Sequence, residues 1–185
     1  MFNSFIFTLN FSNLMKTTFL KLVFSLFFVG LFLTDFAYAQ KSPRTSVSEE
    51  VGSGKVTIDY SQPSVKGREI WGKLVPYDKV WRTGADKATT IEFTKDATVE
   101  GKKLAAGKYA LFTIPTQNGE WTIIFNKTAD QWGAFGYKEA DDALRVTAKA
   151  GKSDSFTEKM TFTISKDGIV TLLWENLKVG FKVTQ

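Results

Sequence analysis

KYALFTIPTQNGEWTIIFN, Lys108 to Asn126, holds two β-rich runs, Lys108 to Pro115 and Glu120 to Asn126, joined through Thr116-Gln117-Asn118-Gly119. Asn-Gly favours the left-handed backbone of a tight hairpin turn, so the two runs are read as antiparallel neighbours. Each carries apolar residues on both of its faces, which places the pair at the centre of a sheet rather than at its edge.

The same signals recur on either side. Val56 to Tyr60, VTIDY, alternates apolar and polar residues, as does Thr89 to Phe93. Further on, Met160, Phe162 and Ile164 alternate with Thr161, Thr163 and Ser165. Lys166-Asp167-Gly168 then turns the chain into IVTLLWE, Asp-Gly being a strong hairpin signal. Leu177, Val179, Phe181 and Val183 form one face of a last strand, with Lys178, Gly180, Lys182 and Thr184 on the other. Leu144 to Ala148 is a weaker strand candidate, and a helical turn is expected around Lys138 to Ala143. Helical periodicity is weak throughout. Together these predict an all-β chain, a single antiparallel β-sandwich domain of about eight to ten strands.

Residues 1 to 39 are expected to be a cleaved signal peptide. Met15, Lys16 and Lys21 make a basic start, Leu22 to Leu33 is apolar apart from Ser25 and Gly30, and Ala37-Tyr38-Ala39 supplies the small residues that signal peptidase requires. The apolar run of 12 residues falls short of the roughly 20 that cross a bilayer as a helix. No stable membrane anchor is therefore expected after cleavage. Met15 is a better start than Met1. The domain proper is residues 40 to 185, exported to the periplasm or secreted. Setting aside Lys16, Lys21 and Asp35 leaves 22 basic against 18 acidic residues, a net of +4. The basic residues are dispersed among Asp, Glu, Thr and Ser, which is a solvated surface and not the concentrated stripe of a nucleic-acid binder.

Neither His nor Cys occurs anywhere in the 185 residues. That inventory removes triads with a His base, Cys nucleophiles, thiolate zinc sites, His-ligated metals and disulfides. It also rules out a lipoprotein anchor, which is attached to Cys. No run of clustered Asp and Asn suits calcium. No metal and no cofactor is expected. What remains for catalysis is a carboxylate pair, a Ser-Lys dyad or a carboxylate metal site; Ser61 and Ser64 with Lys66 do not have the S-x-x-K spacing, and Asp59, Glu69, Asp86, Glu92 and Glu175 are the candidate carboxylates. A glycosidase needs two such carboxyls about 5 to 9.5 Å apart.

Two long segments carry few strand signals and most of the unusual residues: Ser61 to Ala88 and Lys127 to Ala143. Long ordered loops in a compact domain are commonly functional or conceal short strands, and Arg68 to Val75, REIWGKLV, is the candidate for a concealed strand. Trp71, Trp81 and Trp132 offer faces for stacking a sugar ring or another flat ligand, with Lys66, Arg68, Arg82 and Gln131 as donors around them and Asp86 on the same loop. The competing reading is that these Trp residues plug the ends of the sandwich while Arg82 pairs internally with Asp86 or Asp78. Trp121 and Trp174 lie inside strands and are read as core.

On YS.P..KGR.IWG.LVPY..VWRTGA..AT at Tyr60 to Thr89, G..L.AGKYALF.IP at Gly101 to Pro115, W.IIFN at Trp121 to Asn126 and QWGAFGY at Gln131 to Tyr137, the chain resembles a bacterial exported family catalogued as domain of unknown function twenty-nine eleven. The resemblance covers most of residues 40 to 185 and implies an all-β exported domain, with no reaction attached. The family pattern has Asn more often than Asp86 and Tyr more often than Phe135. The Asp86 departure weakens any argument that needs an uncharged amide there.

The expected function is non-catalytic binding of an unidentified small molecule or glycan, such as an envelope or nutrient ligand. The expected site is lined by the Trp71 to Asp86 loop and Gln131 to Tyr137. A carboxylate-dependent hydrolase such as a glycosidase is the alternative, and a structural or protein-interaction domain the third reading.

Overall fold

The computed structural model describes residues 41–185; the expected signal peptide and both candidate starts lie outside the described residues. Nine strands form one antiparallel sheet that does not close. They are β1 (Arg44–Val51), β2 (Gly54–Ser61), β3 (Thr89–Phe93), β4 (Ala97–Val99), β5 (Lys102–Leu104), β6 (Gly107–Ile114), β7 (Glu120–Asn126), β8 (Asp142–Ile164) and β9 (Ile169–Thr184). Their spatial order is β1-β2-β3-β6-β7-β8-β9-β4-β5, so the hairpin β6–β7 is central, as its two-sided apolar pattern requires. A single 3-10 turn, Glu139–Asp141, stands where a helical turn was expected.

The length of β8 and β9 makes the sheet fold back on itself. β8 pairs with β7 through residues 142–149 and then with β9 from Ala150 onward, with register shifts between Lys152 and Thr157 and between Thr157 and Thr161. Such irregularities bend a strand and increase its local twist. The far half of β8, with β9, β4 and β5, consequently lies across the face of β2, β3, β6 and β7. Two aromatic contacts join the layers: Tyr60 meets Phe162 edge-on with ring centroids 5.0 Å apart, and Phe125 meets Phe181 at 5.8 Å. Tyr60 Oη also accepts a hydrogen bond from Phe162 N at 3.1 Å. The inward residues of alternating strands, among them Ile58, Ile91, Leu111, Ile123, Leu172 and Val183, make one continuous core.

β6 and β7 bury their outer face as well. Ala110, Phe112 and Ile124 point away from the main core and pack with Ala88 beneath Val80, Ala134 and Tyr137. The cover is made by the two segments with few strand signals. Trp81 pairs with Thr113 through two backbone hydrogen bonds of 2.8 and 2.9 Å, and the chain then makes an excursion before rejoining the same edge of β6 as β3, where Thr89 faces Leu111. Thr83, within that excursion, has φ +52°, a left-handed conformation unfavourable for a β-branched residue. Its surroundings hold it there: Thr83 O accepts from Thr89 Oγ1 at 2.7 Å, and its hydroxyl lies 3.2 Å from that of Thr113.

Arg68 to Val75 is not the concealed strand. Gly72 turns at φ +85°, Val75 N bonds Ile70 O at 2.9 Å and Gly72 N bonds Val75 O at 2.9 Å, so the segment is a compact turn. Ile70 and Val75 plug the core from one end.

Candidate functional site

The turn delivers Trp71 to the end of the sandwich, where four indoles meet. Trp71 lies edge-on to Trp81, Trp121 and Trp174 with centroid separations of 5.8, 5.1 and 5.7 Å, while Trp81 stacks on Trp174 at 5.9 Å. Trp81, Trp121 and Trp174 are buried and belong to the core; Trp71 is half-buried. Trp81 Nε1 donates to Gly84 O at 3.2 Å. Among the described residues, Nε1 of Trp71 and of Trp174 find no acceptor, although both atoms are buried.

Trp71 forms part of a cavity of about 300 Å³ at this end, together with Tyr77, Trp121, Gln117, Lys152, Glu175 and Asn176. Tyr77 reaches it because position 72 has no side chain: a Cβ on Gly72 would stand 2.9 Å from the Tyr77 ring. Glu175 sits at the β8–β9 register shift opposite Thr157, with φ +57°. A left-handed Glu inside a strand is sterically unfavourable and persists only where its surroundings dictate it; such outliers cluster at binding sites. The cavity combines aromatic walls with one carboxylate, one ammonium and two amides, the mixture of apolar surface and few polar groups that characterises small-molecule sites.

The remaining expected site residues lie elsewhere. Arg82, Asp86, Gln131 and Trp132 meet on the outer face of the sheet. Gly133 N bonds Asp86 O and Ala88 N bonds Gln131 O, each at 3.0 Å, with Lys87 opposite Trp132. Arg82 Nη1 approaches Gly133, to within 3.9 Å of where a Cβ would be. Its Nε is buried without a partner, and no carboxylate pairs with Arg82 among the described residues. Trp132 and Phe135 project into solvent, 56% and 91% exposed. Lys66 and Arg68 are at a third place: Lys66 N bonds Glu158 Oε1 at 2.9 Å, and the Arg68 guanidinium donates to the carbonyls of Val65 and Ser64, capping its own turn. Trp71 and Trp81 thus share one end of the sandwich, and the other six residues do not join them.

A second cavity, of about 340 Å³, opens on the outer face between Arg44, Lys87, Thr90, Lys108, Asp130 and Gln131. Its charges are largely matched, since Arg44 pairs with Asp59 at 2.5 Å and Lys87 with Asp130 at 3.1 Å. Behind it runs a polar network. Gln131 Nε2 donates to Asn126 Oδ1 at 3.1 Å and to Thr128 O at 2.6 Å, and Asn126 Nδ2 donates to Asp142 Oδ1 at 2.8 Å. Asp142 Oδ2 accepts from Tyr137 Oη and from Arg145 Nε, both at 2.7 Å. Burial, followed by the hydrogen bond to Asp142, pushes the Tyr137 phenol up to about 12, with Arg145 acting in the opposite direction. A phenol held protonated in this way is a structural donor that ties the 131–142 loop to β7 and β8.

Of the five candidate carboxylates, only Glu175 lines either cavity; the other acidic lining residue is Asp130, across the molecule. Among the described residues, no group of three or more acidic side chains is placed to hold a metal. Tyr77, Gln117, Lys152 and Asn176 were not among the expected site residues. Tyr77 had a signal, standing in the LVPY run of the quoted motif, whereas the others become neighbours only through the bend of β8 and β9.

No curated protein and no solved structure matches this chain. A family model described as "Protein of unknown function (DUF2911)" matches residues 42–183, which is nearly the whole of the described domain. With its motifs distributed over the end turn, the central hairpin and the outer cover, the chain belongs to the DUF2911 family.

Proposed function

We propose that this protein is an exported, non-catalytic binding module whose small-molecule ligand lies against Trp71 in the cavity at the end of the sandwich. The observation that carries the reading is the half-buried Trp71 indole. It is braced on three sides by other Trp rings and forms part of a concave site, so its position is set by packing before any ligand arrives. An aromatic ring fixed in this way offers contact area at little further cost in side-chain ordering. Hydrolysis by paired carboxylates receives no such support from these two cavities, each of which is lined by a single acidic residue. The signal-like segment at residues 1–39 supports action outside the cytoplasm.

The test is a thermal-shift screen against glycans, sugar acids and small periplasmic metabolites, with Trp71→Phe alongside, since Phe keeps most of the packing and offers a ligand a smaller ring. A ligand at 100 times its Kd stabilises by about 2.7 kcal/mol, easily seen as a higher Tm. The expected result is a class of compounds that stabilises the parent and stabilises Trp71→Phe much less. Stabilisation that is equal in both, or absent in both, overturns the site.

One observation favours the reading as a protein-interaction domain. Trp132 and Phe135 stand exposed on a loop that is otherwise firmly tied down, and neighbouring exposed aromatics mark contact surfaces.

A further inference from the structure

The Trp71 cavity carries two opposite charges that do not neutralise each other. Glu175 and Lys152 both line it, yet no ion pair joins them, and the ion pair nearby is Lys178 with Asp154 at 3.0 Å. Their backbones are staggered: Lys152 lies opposite Leu177, two residues beyond Glu175 on β9. Two strand residues span about 7 Å, so the cavity holds a negative and a positive end at small-molecule separation. A neutral ring would use the aromatic walls and make no use of either charge.

The negative end has a particular composition. Trp71 and Tyr77 stand in the same lining as Glu175, whose backbone is left-handed at φ +57°. A carboxylate that shares a lining with aromatic rings suits a weakly hydrated cation. A primary ammonium needs several acceptors to replace its water, whereas a methylated ammonium is attracted by ring faces and needs only the charge. Lys152, with the amides of Asn176 and Gln117 in the same lining, offers donors to a carboxylate or phosphate.

We infer that the ligand of this site is a compact zwitterion, its methylated ammonium held by Trp71, Tyr77 and Glu175 and its anionic group by Lys152 and Asn176. The inference rests on the reading of this cavity as a ligand site and specifies the chemistry of its occupant.

The experiment is a calorimetric titration of the protein with four probes: glycine betaine, choline, 3,3-dimethylbutan-1-ol as the uncharged isostere of choline, and glucose. Betaine should bind most tightly, choline roughly tenfold more weakly for want of the anionic group, and the two neutral probes more weakly still. Glu175→Gln should lower the affinity for both cations about tenfold. Lys152→Met should lower that for betaine and leave choline unchanged or improved. Glu175→Asn, whose side chain tolerates left-handed backbone, serves as the second variant if Glu175→Gln does not fold. Glucose or the uncharged alcohol binding as tightly as the cations, with that binding lost in Trp71→Phe, would overturn the zwitterion and leave the site standing. No heat from these probes, combined with no hit in the wider screen, would remove both.

Discussion

Phe112→Ala is the sharpest test of how the central hairpin is covered. Phe112 points away from the main core, yet it is fully buried, because the 131–137 loop and the excursion after Trp81 lie over it and the Tyr137 ring meets it edge-on at 5.1 Å. Truncating a fully buried Phe costs about 3–5 kcal/mol, from lost transfer free energy and the cavity left behind. For a domain of this size 1 kcal/mol moves Tm by roughly 2–4 °C, so the midpoint should fall by roughly 6–20 °C. Phe125→Ala is the matched control, since Phe125 is equally buried on the inner face of the same sheet. Calorimetry or circular dichroism on both variants reads the result directly. If the outer face were only loosely covered, the Phe112 variant would behave like a surface substitution, within about 0.5 kcal/mol of the parent. A loss below about 1 kcal/mol beside a normal loss for Phe125→Ala would refute the two-sided burial.

Three further outcomes follow from the structure. The Tyr137 pKa is raised above the ordinary phenol value of 10.0 to about 12. The native state therefore keeps a proton that the unfolded chain releases first: the contribution is complete below the unfolded pKa and is lost as pH rises through the folded one. Chemical denaturation across that window should show stability falling with pH, and Tyr137→Phe should remove part of the slope, leaving the share from Tyr109, which burial and then Asp96 also raise. Gly168→Ala should destabilise by more than 2 kcal/mol, beyond the roughly 1–2 kcal/mol of a left-handed non-Gly residue. At φ +81° a Cβ there would also collide with Val183 O across the turn, and urea unfolding checks it. Gly72→Ala should move the Tyr77 ring out of the end cavity, because the new Cβ would stand 2.9 Å from it. The expected signs are altered tyrosine fluorescence and loss of any stabilisation by compounds that stabilise the parent, in a protein that remains folded.

How much of this was legible in the sequence depended on whether hydrophobic pattern or long-range geometry set each feature. The two-sided apolar character of Lys108 to Asn126 put β6 and β7 at the centre, and Asp167-Gly168 marked the β8–β9 turn, because both are local properties. β1 gave no comparable signal: RTSVSEEV is half exposed along its length and contributes only Val47 and Val51 to the core. Leu144 to Ala148 and Met160 to Ser165 read as separate strands, but they are the two ends of β8. The polar residues between them belong to a ribbon open to solvent, where hydrophobic alternation fades. REIWGKLV looked like a strand for its composition, and Gly72 makes it a turn whose apolar residues plug the end of the sandwich core.

The site was legible only in fragments. Trp71 and Trp81 stood out by cost and spacing, and they do share a place. Arg82, Asp86, Gln131 and Trp132 share another because strand alternation sends Trp81 inward and Arg82 to the opposite face, a consequence of the Trp81–Thr113 pairing that no local pattern displays. Glu175 lies 104 positions beyond Trp71 and lines the same cavity through the bend at the β8–β9 register shift. Its left-handed backbone leaves no mark in TLLWEN.

A two-dimensional nitrogen–proton spectrum of the indole groups, assigned by single Trp→Phe variants and recorded while metabolites and glycans are added, locates a bound compound on the molecule. Trp71 stands at the end of the sandwich and Trp132 on its outer face, so their two signals distinguish the end cavity from the exposed loop. A compound bound in the end cavity should shift the Trp71 indole, and with it that of Trp174, while Trp132 stays in place. A compound that moves Trp132 alone, or binding that moves no indole, would rule out the end cavity as the site.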